Sequence, residues 1–135
     1  MKPKILIVDD DWAVLMKMQK LLFKDGFEVK IAFDSSEAKE LVCRENFDII
    51  YTNMSLSWID GADLCKIVKT ISPQTIVIVF SGSPQAMMDR LGAFLANGGM
   101  DLYLRKPLTN EEIVSSTYRA LQKRERKKIL SYNDK

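Results

Sequence analysis

Lys4-Ile5-Leu6-Ile7-Val8-Asp9-Asp10-Asp11 is the stretch on which the fold turns. Four consecutive apolar residues without polar alternation read as a strand covered on both faces, the habit of a parallel sheet flanked by helices. The aspartates stop that strand, and from Trp12 to Lys24 the apolar residues at 14, 15, 18, 21 and 22 fall at helical spacing. Strand, acidic loop and helix make half of a βαβ unit.

The rest of the chain repeats the unit. Asp25-Gly26 ends the first helix, and Glu28 to Ala32 alternates as a second strand. Asp34 followed by Glu37 has the form of a capping arrangement opening a helix through Glu45. Phe47 to Thr52 reads as a third strand, Asn53 to Ile59 as a loop, and Asp60-Gly61 as the entry to a helix ending near Thr70. A fourth strand spans Thr75 to Phe80; Ser81-Gly82-Ser83 breaks it, and Pro84 suits the first turn of a helix reaching Ala96. Asn97-Gly98-Gly99 stops that helix, Leu102 to Arg105 is a fifth strand, and Thr109 with Glu112 forms a T-x-x-E box opening the last helix. Five strands alternating with five helices predict an open, doubly wound α/β sheet, whose functional groups lie beyond the carboxyl ends of the strands.

Composition bounds the chemistry. The chain has 135 residues, 47% hydrophobic and 28% charged, which suits one soluble domain. The longest apolar run, Ile76 to Phe80, is far short of the roughly 18 to 20 residues that span a bilayer. The N-terminus carries no signal-peptide core, so a cytoplasmic, non-membrane protein is expected. There is no histidine, which excludes a Ser-His-Asp hydrolase, and Cys43 and Cys65 read as two reduced helix cysteines rather than part of a zinc set. The net charge of +2 is uneven: residues 119–135 carry +5 and residues 1–118 carry −3. That basic end reads as a solvated helix terminus whose cations suit the macrodipole. A nucleic-acid interface is not expected, because the body is acidic and no aromatics interleave the basic run.

At the strand ends stand Asp9, Asp10 and Asp11, then Asn53, Ser81, and Lys106 followed by Pro107. Adjacent carboxylates repel one another unless a cation neutralises them, and Mg²⁺ prefers such hard oxygens. Asp10 or Asp11 is equally suited to capping the next helix. An oxygen cage, a fixed ammonium and a hydroxyl are together what a transferred phosphoryl group requires. Its nucleophile would be a carboxylate at the end of the central strand, and Asn53 holds that place. Trp12 and Trp58 both follow strand ends, as a partner surface at the pocket rim or as local packing. Met87 and Met88 suit core filling or an adaptable helix surface.

Lys4-Ile5-Leu6-Ile7-Val8-Asp9-Asp10-Asp11, Phe47-Asp48-Ile49-Ile50 through Asp60-Gly61, and Tyr103-Leu104-Arg105-Lys106-Pro107 resemble the receiver domain of bacterial response regulators, over residues 4 to about 121. The resemblance implies a flavodoxin-like (βα)5 fold with strand order 2-1-3-4-5. It implies that Asp9 and Asp10 form the acidic Mg²⁺ pocket, Ser81 the phosphoryl-sensing hydroxyl, Lys106 the lysine that pairs with the phosphoryl group, and Tyr103 the aromatic switch of the output face. Asn53 falls where the family carries its phospho-accepting aspartate, so phosphoryl acceptance is expected to be lost and Mg²⁺ to bind more weakly. The chain also departs from the family at Ser57, where proline is common, and in a longer segment from Ser81 to Lys106.

Two explanations of Asn53 stand: a natural pseudo-receiver, and an aspartate-to-asparagine substitution introduced into a phospho-accepting switch. The expected organisation is a receiver-like domain over 1–122 with a basic helical extension over 123–135. If the chain is complete, no DNA-binding output domain is left and the output is a protein contact rather than catalysis. The implied partners are a sensor histidine kinase or phosphotransfer protein, another receiver, or a second copy meeting through the fourth helix, fifth strand and fifth helix. A flavodoxin-like cofactor binder is a third reading, and it predicts a bound chromophore.

Overall fold

The structure is a computed structural model that describes residues 2–133, without the side chains of residues 127, 128 and 131–133. The charges that the sequence places on Lys127, Lys128, Asp134 and Lys135 lie outside this description. The elements, in order, are β1 (Lys4–Val8), α1 (Trp12–Lys24), β2 (Glu28–Ala32), α2 (Ser35–Arg44), β3 (Ile49–Asn53), α3 (Gly61–Ile71), β4 (Ile76–Ser81), α4 (Pro84–Ala96), β5 (Tyr103–Arg105) and α5 (Asn110–Asn133). The strands form one parallel sheet in the order β2-β1-β3-β4-β5, as the resemblance implies.

Both faces of the sheet are covered, which explains the unbroken apolar runs. Ile5, Ile7, Ile49, Tyr51, Ile78 and Phe80 point to the side packed by α1 and α5, against Leu15, Met18, Leu22, Ile113 and Ala120. Leu6, Val8, Ile50, Val77 and Val79 point to the other side, against Ala38, Val42, Leu64, Val68 and Phe94 of α2, α3 and α4. Burying a Leu or Ile side chain is worth about 1.5–3 kcal/mol, so these two layers dominate stability.

Local chemistry sets the helix starts. Asp11, Asp34, Asp60, Ser83 and Thr109 accept hydrogen bonds from the backbone N–H groups of Ala13, Glu37, Asp63, Ala86 and Glu112 at 2.8–3.1 Å. Each such cap contributes about 1 kcal/mol. Of the two candidates in the acidic loop, Asp11 is the cap. In the box at Thr109 the hydroxyl also donates to Glu112 Oε1 at 3.0 Å.

Several element ends differ from the sequence expectation. Asn53 closes β3 instead of opening a loop, because β4 continues the ladder beside it, pairing Asn53 with Phe80. Ser81 likewise belongs to β4, held opposite Arg105. Thr75 drops out of β4, its hydroxyl engaged with Ser72 Oγ and Phe47 O at 2.7 Å each. Leu102 is drawn out of β5 by a tight turn in which its N–H donates to Met100 O at 2.7 Å. The last helix runs unbroken through residue 122, and Arg124 turns back to the body to pair with Asp48 at 2.9 Å.

Candidate functional site

Strand register builds the site. Val8 of β1 lies beside Thr52 of β3, so the next residues, Asp9 and Asn53, meet at the carboxyl edge. Both extend the series facing α1 and α5, Ile5-Ile7-Asp9 and Ile49-Tyr51-Asn53. Asp9 is completely buried and Asn53 nearly so. Lys106, one residue past β5, is anchored by its own N–H to Ser81 O at 3.0 Å, and its Nζ lies 2.7 Å from Asp9 Oδ2 and 5.5 Å from the centre of the Phe80 ring.

Burial raises the Asp9 carboxyl above its ordinary value, and the Lys106 ammonium only partly offsets this. Asp9 Oδ1 accepts from Asp11 N at 3.0 Å. The Asn53 amide nitrogen donates to Ser55 O at 2.8 Å and lies 3.5 Å from Asp9 Oδ1, the far edge of hydrogen-bond range. Asn53 Oδ1 is buried with no hydrogen-bond partner. Behind the site, α3 starts against the strand end: Gly61 N donates to Met54 O at 2.8 Å, and a Cβ on Gly61 would stand 2.7 Å from Asn53 O.

The structure brings Asn53 and Lys106 each to Asp9. Asp10 is exposed beside them. Ser81 is buried next to Lys106, but its hydroxyl closes on its own turn, donating to Ser83 O at 3.1 Å and accepting from Ser83 N at 3.0 Å. Tyr103 is half exposed on β5 and, with Ser81, Met87, Met88 and Lys106, lines a hollow of about 220 Å³. The methionine pair divides its labour: Met87 is buried and Met88 is exposed. A larger groove of about 410 Å³ lies on the other side of Lys106, between α1 and the turn at Pro107 and Leu108. Lys17 of α1 crosses it to donate to Leu108 O.

The rim is aromatic. Trp12 stacks on Phe33 with ring centres 4.6 Å apart and planes 7° from parallel, and both rings remain exposed. Trp58 is exposed as well, with Lys39 Nζ 5.8 Å above its ring and a backbone φ of 77°, in the left-handed region that bulky residues avoid. Its loop is tied to α2, where Ser35 Oγ donates to Ser57 O at 2.8 Å. Sequence reasoning did not find Phe33, Ser55 or the Arg90 clamp. Arg90 of α4 holds the α3 cap, its Nε 2.5 Å from Asp60 Oδ2 and its Nη2 3.1 Å from Asp63 Oδ1. Phe33 could have been found, since it too follows a strand end; Ser55 acts through its backbone and leaves no signal.

A hard dication wants several free oxygen ligands and room for water. The residues present do not assemble that cage. Asp9 has one oxygen on Asp11 N and the other beside the Lys106 ammonium, where it is buried without a hydrogen-bond partner, Asn53 turns an N–H group toward the neighbouring oxygens, and among the described residues no three His, Cys, Asp or Glu side chains converge.

A five-stranded parallel sheet in the order β2-β1-β3-β4-β5, with α-helices on both faces, is the flavodoxin-like fold that receiver domains share. The model of the response regulator receiver domain matches residues 5–118, and the chain belongs to that family, a family of signalling switches. Response regulator MprA of Mycobacterium leprae is 30% identical over 121 residues, which are 90% of this chain and 51% of that protein. The chain thus spans about half the length of the curated relatives it matches. Among solved structures, a response regulator receiver domain protein from Clostridium thermocellum is 30% identical with a TM-score of 0.82, covering 95% of this chain and 98% of that one. A CheY-like receiver domain protein from Methanospirillum hungatei JF-1 is 26% identical with the same TM-score, covering 94% and 99%. No described helix is long and apolar enough to cross a membrane.

Proposed function

We propose that this chain is a receiver module of a phosphorelay that signals through protein contacts and does not take a phosphoryl group at Asn53. The observation that carries the reading is the group at the end of β3: a buried carboxamide whose nitrogen is bonded to Ser55 O at 2.8 Å. A covalent phosphoryl acceptor must be a nucleophile, and a neutral amide is a poor one. Asp9 and Asp10 are the acids of the pocket, Lys106 and Ser81 the groups that would face phosphoryl oxygens, and Tyr103 the aromatic switch on the output face. Loss of one carboxylate weakens any hold on Mg²⁺.

The module is not an enzyme in this reading. It comprises residues 1–122, with 123–135 a basic extension, and it acts in the cytoplasm, away from membranes and nucleic acids. Its partners are a sensor histidine kinase or phosphotransfer protein, another receiver, or a second copy meeting through α4, β5 and α5. Lys106 held ready beside Asp9 favours one alternative: a Mg²⁺-dependent phospho-accepting switch whose parent chain has aspartate at position 53.

The test is intact mass after incubation with a small phosphodonor and Mg²⁺, for the chain as it stands and for Asn53→Asp. The Asn53 protein is expected to gain nothing; a gain of about 80 Da, one phosphoryl group, would overturn the reading. An adduct on the Asp variant alone shows that the rest of the site is competent, and none on either favours long-standing degeneration of the pocket.

A further inference from the structure

A cation in an acidic pocket does two things: it neutralises carboxylates, and it ties together oxygens from different loops. In this chain nitrogen donors do both. Lys106 Nζ lies 2.7 Å from Asp9 Oδ2, and Asp9 Oδ1 receives Asp11 N at 3.0 Å with Asn53 Nδ2 3.5 Å away. The same Nδ2 donates to the carbonyl of Ser55 at 2.8 Å, two residues into the loop that leads from β3 to α3.

The orientation of the amide follows from its surroundings. Asp9 Oδ1 and Ser55 O are acceptors only, so a reversed carboxamide would set its own oxygen against both. Nδ2 must face them, and Oδ1 is left buried without a donor. An aspartate at position 53 would have the opposite requirement. Its carboxylate would confront Asp9 and the Ser55 carbonyl with no hydrogen to offer, and the single Lys106 ammonium beside Asp9 would have to serve two carboxylates unless a cation entered.

We infer that the Asn53 carboxamide nitrogen takes the place of the divalent cation, bridging Asp9 to the Ser55 carbonyl, so that the pocket and the loop after β3 are held in a single arrangement without metal. Admitting a dication would require the amide to withdraw from both oxygens while Lys106 keeps its positive charge beside Asp9. This deepens the reading of a phosphorylation-independent receiver, and its test uses no phosphodonor, so the two fail separately.

Mn²⁺ is titrated into the protein and into Asn53→Asp, following the electron paramagnetic resonance signal of free Mn²⁺, and both proteins are melted in EDTA and in Mg²⁺. The Asp variant is expected to bind one Mn²⁺, to melt below the Asn53 protein in EDTA and to recover with Mg²⁺. The Asn53 protein is expected to melt identically in both media and to bind Mn²⁺ at least roughly tenfold more weakly, the minimum loss seen even for changes outside a metal's direct ligands. Comparable Mn²⁺ binding by the two proteins overturns the inference. So does an Asp variant that binds no Mn²⁺ or melts no lower in EDTA. Should that variant not fold, Asn53→Ala decides: it should melt lower than the Asn53 protein by the same amount in EDTA and in Mg²⁺, and an unchanged melting temperature refutes the bridge.

Discussion

The hydroxyl of Tyr51, on the central strand, lies 2.6 Å from the hydroxyl of Thr117 on α5, in a site closed to solvent. Ser116 Oγ completes the cluster at 2.7 Å, and all three hydroxyls share the carbonyl of Ile113. Burial pushes the Tyr51 phenol above its ordinary value, against the opposing pull of its Ser116 and Thr117 hydrogen bonds. The strand that ends at Asn53 is thereby bonded to α5.

Removing only the hydroxyl should be cheap, because Ser116 and Thr117 retain Ile113 O. Tyr51→Phe is expected to cost about 1 kcal/mol. Tyr51→Ala should cost about 3 to 5 kcal/mol through the cavity it leaves. Urea unfolding of the two variants checks both values; equal losses would mean that the ring contributes nothing beyond its hydroxyl.

Lys106→Met should strand the buried Asp9 carboxylate and cost about 3 kcal/mol at neutral pH. The Asp9 carboxyl is already raised by burial, and loss of the ammonium raises it further. A group that binds its proton more tightly when folded gains stability as pH falls toward its unfolded value, ordinarily 3.8, and loses it as pH rises. The gap between variant and parent should therefore narrow at pH about 5 relative to pH about 7. A gap that stays constant in unfolding measurements at the two pH values would exclude Asp9 as its source.

Asp60 shifts the other way. Burial would raise its carboxyl, but the hydrogen bond and charge of Arg90, with the N–H of Asp63, hold it below 3.8. The stability it contributes is present above 3.8 and is lost as pH falls through the depressed value. Arg90→Ala should thus be destabilising at neutral pH, and the difference in melting temperature from the parent should shrink as the pH is lowered below 3.8. A difference that persists undiminished there would assign the effect of Arg90 to packing.

The two cysteines should part in a thiol titration. Cys43 is exposed on α2, whereas Cys65 is buried on α3, its thiol pushed up to about 12 by desolvation. One thiol should react with Ellman's reagent in the native protein at pH about 8, and the second only after unfolding, since the thiolate is the reactive form. Prompt reaction of both would place Cys65 near solvent.

The sequence by itself determined what local chemistry controls. Apolar runs mark strands buried on both faces, Asp34 with Glu37 and Thr109 with Glu112 mark helix starts, and Asp9, Asn53, Ser81 and Lys106 are placed at strand ends, since strand periodicity and capping act over a few residues. Tertiary structure decided everything that depends on chain segments far apart. The pairing of Asn53 with Phe80 turned an expected loop residue into a strand residue. Arg90 found Asp60 30 positions away, and Tyr51 found Thr117 66 positions away. Most of all, the partner of the Asn53 amide is a backbone carbonyl, which every residue carries and no sequence pattern can single out; only the folded loop brings that of Ser55 within 2.8 Å.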